Sequence, residues 1–221
     1  MRYGESLFDI FYLLFAIISG CKIYKRADSK AGKLMGLAVL LLGCGDAFHL
    51  VPRVLNYFVD ADFTAALGIG KLITSITMTI FYVFMYYIWD DRYGSAKTKN
   101  LKLCVLLLAA LRIVLCLFPQ NGWSSNESDM TWGIIRNVPF VLLGALIIAL
   151  FYQKRADGRP WHPGWIYILL SFLFYIPVAV GAGAVPMLGM LMLPKTICYI
   201  LLIVIFLKIT NASDSKKVEG K

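Results

Sequence analysis

The chain has 221 residues, 59% of them hydrophobic and 16% charged, with a mean hydropathy of +0.71 and a formal charge of +9. A soluble domain carries roughly 45–50% apolar residues, so this composition excludes one and describes an integral membrane protein. A basic surplus can mark a nucleic-acid partner, but the way this one is distributed along the chain excludes that reading.

A helical span needs roughly 20 apolar residues to cross a bilayer core. Apolar runs near Gly4 to Lys22, Leu34 to Phe58, Phe63 to Trp89, Leu101 to Phe118, Met130 to Tyr152, Trp165 to Ala182 and Val185 to Leu207 predict seven spans. The expected fold is all-α: a polytopic seven-helix transmembrane bundle over residues 1–209, with a short polar tail at 210–221.

The cations alternate by loop. Lys22, Lys25, Arg26, Lys30 and Lys33 follow span one; Arg92, Lys97, Lys99 and Lys102 follow span three. Lys154, Arg155 and Arg159 follow span five, and Lys208, Lys216, Lys217 and Lys221 follow span seven. The first two loops on the other side carry Asp60, Asp62, Glu127 and Asp129 and no Lys or Arg. The positive-inside bias therefore predicts an outside N-terminus, a cytoplasmic C-terminus and a cell or plasma membrane location. The lipid bilayer is the first partner, and no nucleic acid is expected.

In span one, Glu5, Asp9, Tyr12 and Ser19 fall near one helical face, a polar stripe running inward from the outer surface. Acidic Glu5 and Asp9 stand where a signal peptide would be basic, so this span is expected to stay uncleaved.

Span two holds the densest cluster, Gly43-Cys44-Gly45-Asp46-Ala47-Phe48-His49-Leu50-Val51-Pro52-Arg53. At 100° per residue Asp46, His49 and Arg53 share one narrow stripe. Ionisable groups are costly against lipid, so the stripe should face partners or water. Pro52 leaves the carbonyl near His49 without its helical donor, and Gly43 and Gly45 permit close helix approach.

Span three aligns Lys71, Thr74, Ser75, Met78 and Tyr82. Span four contributes Arg112; span five contributes Arg136 and Asn137 near its outer end, before Pro139. Trp123 and Trp132 suit the outer interface and Trp161 and Trp165 the inner one. Asn126-Glu127-Ser128 is a glycosylation sequon if the source is eukaryotic. Span six spaces Tyr167, Ser171 and Tyr175 by four, followed by Pro177 and an outer Gly-Ala-Gly-Ala turn. Span seven carries Lys195 near the midplane at a depth matching Asp46, after Pro194 and before Tyr199 on the same face.

A weak repeat runs through the chain. Lys25-Arg26-Ala27-Asp28 parallels Lys154-Arg155-Ala156-Asp157, and Leu67-Gly68 and Leu188-Gly189 precede Lys71 and Lys195. It suggests a parallel 3+1+3 arrangement of spans 1–3 and 5–7, although basic inner loops look alike without one. Cys21, Cys44, Cys104, Cys116 and Cys198 show neither a disulfide framework nor metal spacing, and no metal or cofactor is expected.

Every embedded ionisable residue is expected at the midplane or in the outer half. Arg53, Lys71, Arg112, Arg136 and Lys195 outnumber Glu5, Asp9 and Asp46. That balance suits a cavity for a small anionic ligand or lipid headgroup, held by Arg53, Lys71 and Arg136. Asp46 and Lys195 would form a midplane pair that couples occupancy to movement, as in a transporter or sensor. Ser75, Tyr82, Tyr175 and Tyr199 would contribute secondary contacts. A second reading is a lipid-processing enzyme with Asp46 and His49 as acid and base.

Three resemblances bear on this reading. Asp90-Asp91-Arg92-Tyr93 resembles the Asp-Arg-Tyr signature of rhodopsin-like receptors, but span seven lacks their Asn-Pro-x-x-Tyr pattern. The span count is similar to that of the alkaline ceramidase and progestin-receptor superfamily, whose zinc site needs more histidines than His49 and His162. Lys195 resembles the retinal-bearing lysine of microbial rhodopsins, which would imply retinal with Asp46 as counter-ion. Lys71 stands where that family's span three carries a carboxylate, and span six lacks the family's deep Trp.

Overall fold

The computed structural model describes residues 2–94, 98–125, 129–157, 161–181 and 185–219. The sequon Asn126-Glu127-Ser128, most of the Gly-Ala-Gly-Ala turn, and the loop cations Lys97, Arg159 and Lys221 lie outside these residues.

Seven helices are long and apolar enough to cross a membrane, so the chain is a multi-pass membrane protein and an all-α bundle. They are α1 (Arg2–Arg26), α2 (Lys30–Phe58), α3 (Thr64–Tyr93), α4 (Lys99–Leu117), α5 (Met130–Gln153), α6 (Gly164–Gly181) and α7 (Met192–Glu219). Each is apolar nearly all round, as a helix between lipid and core must be. Polar side chains fix several starts. Ser29 Oγ accepts from Gly32 N at 3.0 Å to cap α2, and Asp129 Oδ1 accepts from Thr131 N at 2.7 Å to cap α5. Such caps satisfy amides that a helix start leaves orphaned.

Neighbours in sequence pack as neighbours in space, and α7 closes the ring against α1 and α2. The tightest seam joins α2 and α3. A side chain at Gly70 would strike the backbone of Phe48 and one at Gly45 would strike Thr77, so glycine is required for this approach.

The seventh span departs from its predicted form. Residues Pro186–Leu191 make a 3-10 turn and the α-helix begins only at Met192. Pro194 therefore stands in the first turn of α7, where its missing amide costs nothing, and not at a bend. Lys195 follows in that same first turn, short of the helix middle. At its other end α7 continues through most of the polar tail, to Glu219. Pro52, Pro139 and Pro177 lie inside α2, α5 and α6.

The half of the bundle toward the basic loops is a dry core. Met85, Tyr86, Ile88 and Trp89 of α3 pack with Leu150 and Phe151 of α5 and Ile203 and Phe206 of α7. Trp89 Nε1 donates to the Leu150 carbonyl at 3.1 Å, satisfying a buried donor. Trp161 and Trp165 rest on Phe151 and Tyr152, with centroids 5.7 and 5.0 Å apart.

Candidate functional site

The half toward the N-terminus is built differently. A cavity of about 600 Å³ opens there, within the usual range of roughly 300–1,000 Å³ for small-molecule sites. Its walls include Glu5, Asp9, Asp46, His49, Arg53, Lys71, Ser75, Arg112, Arg136, Tyr175, Lys195 and Tyr199. Residues from all seven helices thus meet at one space. Tyr82 lies behind the wall, fully buried, its hydroxyl 3.1 Å from that of Tyr199.

The first two helices form a largely acidic wall. Arg53 Nη2 pairs with Asp9 Oδ2 at 2.7 Å, across a side chain of Asp9 that is only 5% exposed. Arg53 is thereby engaged by a carboxylate, although its Nε stays buried without a hydrogen-bond partner. Asp46 and Glu5 accept from neutral phenols instead: Tyr12 donates to Asp46 Oδ2 at 2.7 Å and Tyr57 to Glu5 Oε2 at 3.0 Å. His49 lines the cavity with its Nδ1 buried and unpartnered.

The cations gather on the other helices. Arg112 of α4 is 2% exposed. It donates Nη1 to the Arg136 carbonyl, lays its guanidinium 5.0 Å from the Phe140 ring, and leaves Nε unpartnered. Arg136 of α5 donates to Asn121 Oδ1 at 2.6 Å and stacks 4.4 Å from the Trp123 ring. Asn121 is held in turn by its amide donating to the carbonyls of Leu115, Cys116 and Phe118. Lys195 Nζ sits between two aromatic faces, 4.7 Å from Tyr175 and 5.6 Å from Tyr199. Tyr175 donates to Asn137 Oδ1 at 2.7 Å, which anchors that face.

Among the described residues, no carboxylate comes within 4.0 Å of the side-chain nitrogens of Arg112, Arg136 or Lys195. Asp46 and Lys195 share the cavity but form no such pair. Asp129, exposed at the rim, spends one oxygen on the α5 cap.

Residue-by-residue reading overlooked Asn121, because a polar loop offers no periodicity to give it a direction. Trp123 was expected at the lipid interface; the structure turns it onto Arg136, with Nε1 donating to the Cys116 carbonyl at 2.7 Å. Both indoles are half-buried, Trp132 against Phe118 with ring centroids 5.3 Å apart. Among the described residues no cluster of His, Cys, Asp and Glu could hold a metal ion.

Comparison with family models, with characterised proteins and with solved structures finds no match for this chain.

Proposed function

We propose that this membrane protein admits a small anion, a carboxylate- or phosphate-bearing solute or lipid headgroup, into the cavity at its N-terminal end and transports or senses it. One observation carries the reading: Arg112, Arg136 and Lys195 line a single space with no carboxylate within 4.0 Å among the described residues. Arg112 and Lys195 are buried and Arg136 partly so; such cations are costly within a membrane, and an acidic guest would offset that cost. Arg112 and Arg136 are the primary grips, since guanidinium matches the two oxygens of an acid. Arg53 serves the wall through Asp9 and not the guest.

The test is thermal unfolding of the detergent-purified protein against ethyl phosphate and propionate at constant ionic strength. The midpoint should climb with ligand in the wild type, as mass action requires. The climb should be lost in Arg136→Gln. A midpoint indifferent to both anions in the wild type overturns the proposal.

An acid–base enzyme acting on a lipid is the second reading, favoured by the unpartnered His49 Nδ1 on the cavity wall. It requires that Asp46→Asn and His49→Gln each abolish turnover, whereas a transporter or sensor tolerates His49→Gln better than Lys195→Met.

A further inference from the structure

A cavity for a plain anion has no use for carboxylates, yet this one keeps two with no cationic nitrogen within 4.0 Å among the described residues. They are Glu5 and Asp46, which accept hydrogen bonds from Tyr57 and Tyr12, groups that carry no charge. Both stand on the wall built by α1 and α2. The unneutralised guanidinium groups of Arg112 and Arg136 stand on α4 and α5, which pack with α3 and with each other on the far side of the space.

We infer that the guest is a zwitterion, with an ammonium and an acid group separated by a few bonds, seated with its acid on Arg112 and Arg136 and its ammonium toward Glu5 and Asp46. This rests on the anion reading above and sharpens it.

Electrostatics favours this occupant over a simple anion. Opposite unneutralised charges across a low-dielectric gap set up a field, and a dipolar guest aligned with that field gains at both ends. An anion alone gains at one end and is repelled at the other. The burial of Arg112 and Lys195 supports a built site: Arg112 is 2% exposed with Nε unpartnered, and Lys195, at 9%, lies between two ring faces with no carboxylate within 4.0 Å among the described residues. Phosphorylated and carboxylated zwitterions share this chemistry, whether free or as the headgroup of a lipid.

The experiment compares matched probes on the full chain in micelles by isothermal calorimetry: phosphoethanolamine against ethyl phosphate, and β-alanine against propionate. In at least one pair the zwitterion should bind about tenfold tighter than its anion. Glu5→Gln and Asp46→Asn should each shrink that ratio toward one while leaving the plain anion's affinity equal or improved. Arg136→Gln should weaken both members. Glu5 lies near the helix start, so its variant keeps the test open if Asp46→Asn folds poorly.

Nanodiscs of phosphatidylethanolamine and of phosphatidylglycerol separate the sources. Competition by the former against phosphoethanolamine assigns a lipid headgroup, and indifference to both lipids assigns a free solute. Equal affinity within both probe pairs overturns the zwitterion and leaves the anion reading standing. Absence of binding by all four probes overturns both.

Discussion

The hydroxyl of Tyr12, on the first helix, donates to the carboxylate of Asp46, on the second, at 2.7 Å. Tyr12 is 1% exposed, whereas Asp46 is partly open to the cavity, so water takes over only part of what the phenol supplies. Tyr12→Phe should therefore destabilise the bundle by about 1–3 kcal/mol, the usual cost of losing a hydrogen bond to a charged group. Adding Asp46→Asn should recover part of the loss. Unfolding midpoints of the two single variants and the double variant in detergent check the coupling.

Asp9 and Arg53 form the one ion pair within 4.0 Å among the described residues. Because Asp9 is buried and Arg53 partly so, Asp9→Asn should cost about 2 kcal/mol, much of it from stranding the guanidinium. The double variant Asp9→Asn, Arg53→Gln should lie closer to the wild type than the two single losses added together. A strictly additive result would show that the pair contributes nothing of its own.

Lys195 separates stability from function. Replacing it with methionine removes a buried charge that has no carboxylate within 4.0 Å among the described residues, while roughly keeping its volume between Tyr175 and Tyr199. Lys195→Met should hold or raise the unfolding midpoint and lower affinity for ethyl phosphate by about tenfold or more. A variant that unfolds early would instead mark Lys195 as a structural residue.

Gly70 and Gly4 give a matched contrast in packing. A methyl at Gly70 meets the backbone of Phe48, whereas one at Gly4 meets nothing within 4 Å. Gly70→Ala should cost about 1–3 kcal/mol through overpacking. Gly4→Ala should be neutral or gain about 1 kcal/mol from helix propensity. Thermal unfolding of both variants is sufficient.

Outside the membrane, where α3 begins, the Thr64 side chain and, at 2.9 Å, the Thr64 amide donate to Asp62 and together hold its carboxyl below the ordinary 3.8. A carboxyl lowered in the folded state supports that helix start above its unfolded value. The support fades as pH falls through the lowered folded value. Carboxyl-carbon NMR should show Asp62 titrating below an unstructured aspartate, and Thr64→Pro, which removes the donating amide, should return it to the usual range.

Much of the fold was legible because a membrane leaves few alternatives: twenty apolar residues between charged loops make a spanning helix whatever else they do. Depth was legible for the same reason, since counting along each run places Glu5, Arg53, Lys71 and Arg136 toward one end. Pairing was not. Helix periodicity shows that Asp9 and Asp46 lie on inward stripes, but which acid meets Arg53 and which meets Tyr12 depends on how α1 and α2 slide past each other. The seventh span was legible from Val185 onward, but hydropathy cannot distinguish the 3-10 turn at Pro186–Leu191 from the α-helix that follows it. Trp123 reads as a membrane anchor by residue type alone, and only the loop's path turns it inward.

That loop has a mechanical consequence. The Trp123 ring covers Arg136, its backbone carbonyl abuts Gly68 of α3, and Asn121 ties Arg136 to the end of α4. Widening the mouth there means peeling indole from guanidinium and lifting the loop backbone off Gly68. If the proposed anion enters there, Trp123 emission should shift when ethyl phosphate is added.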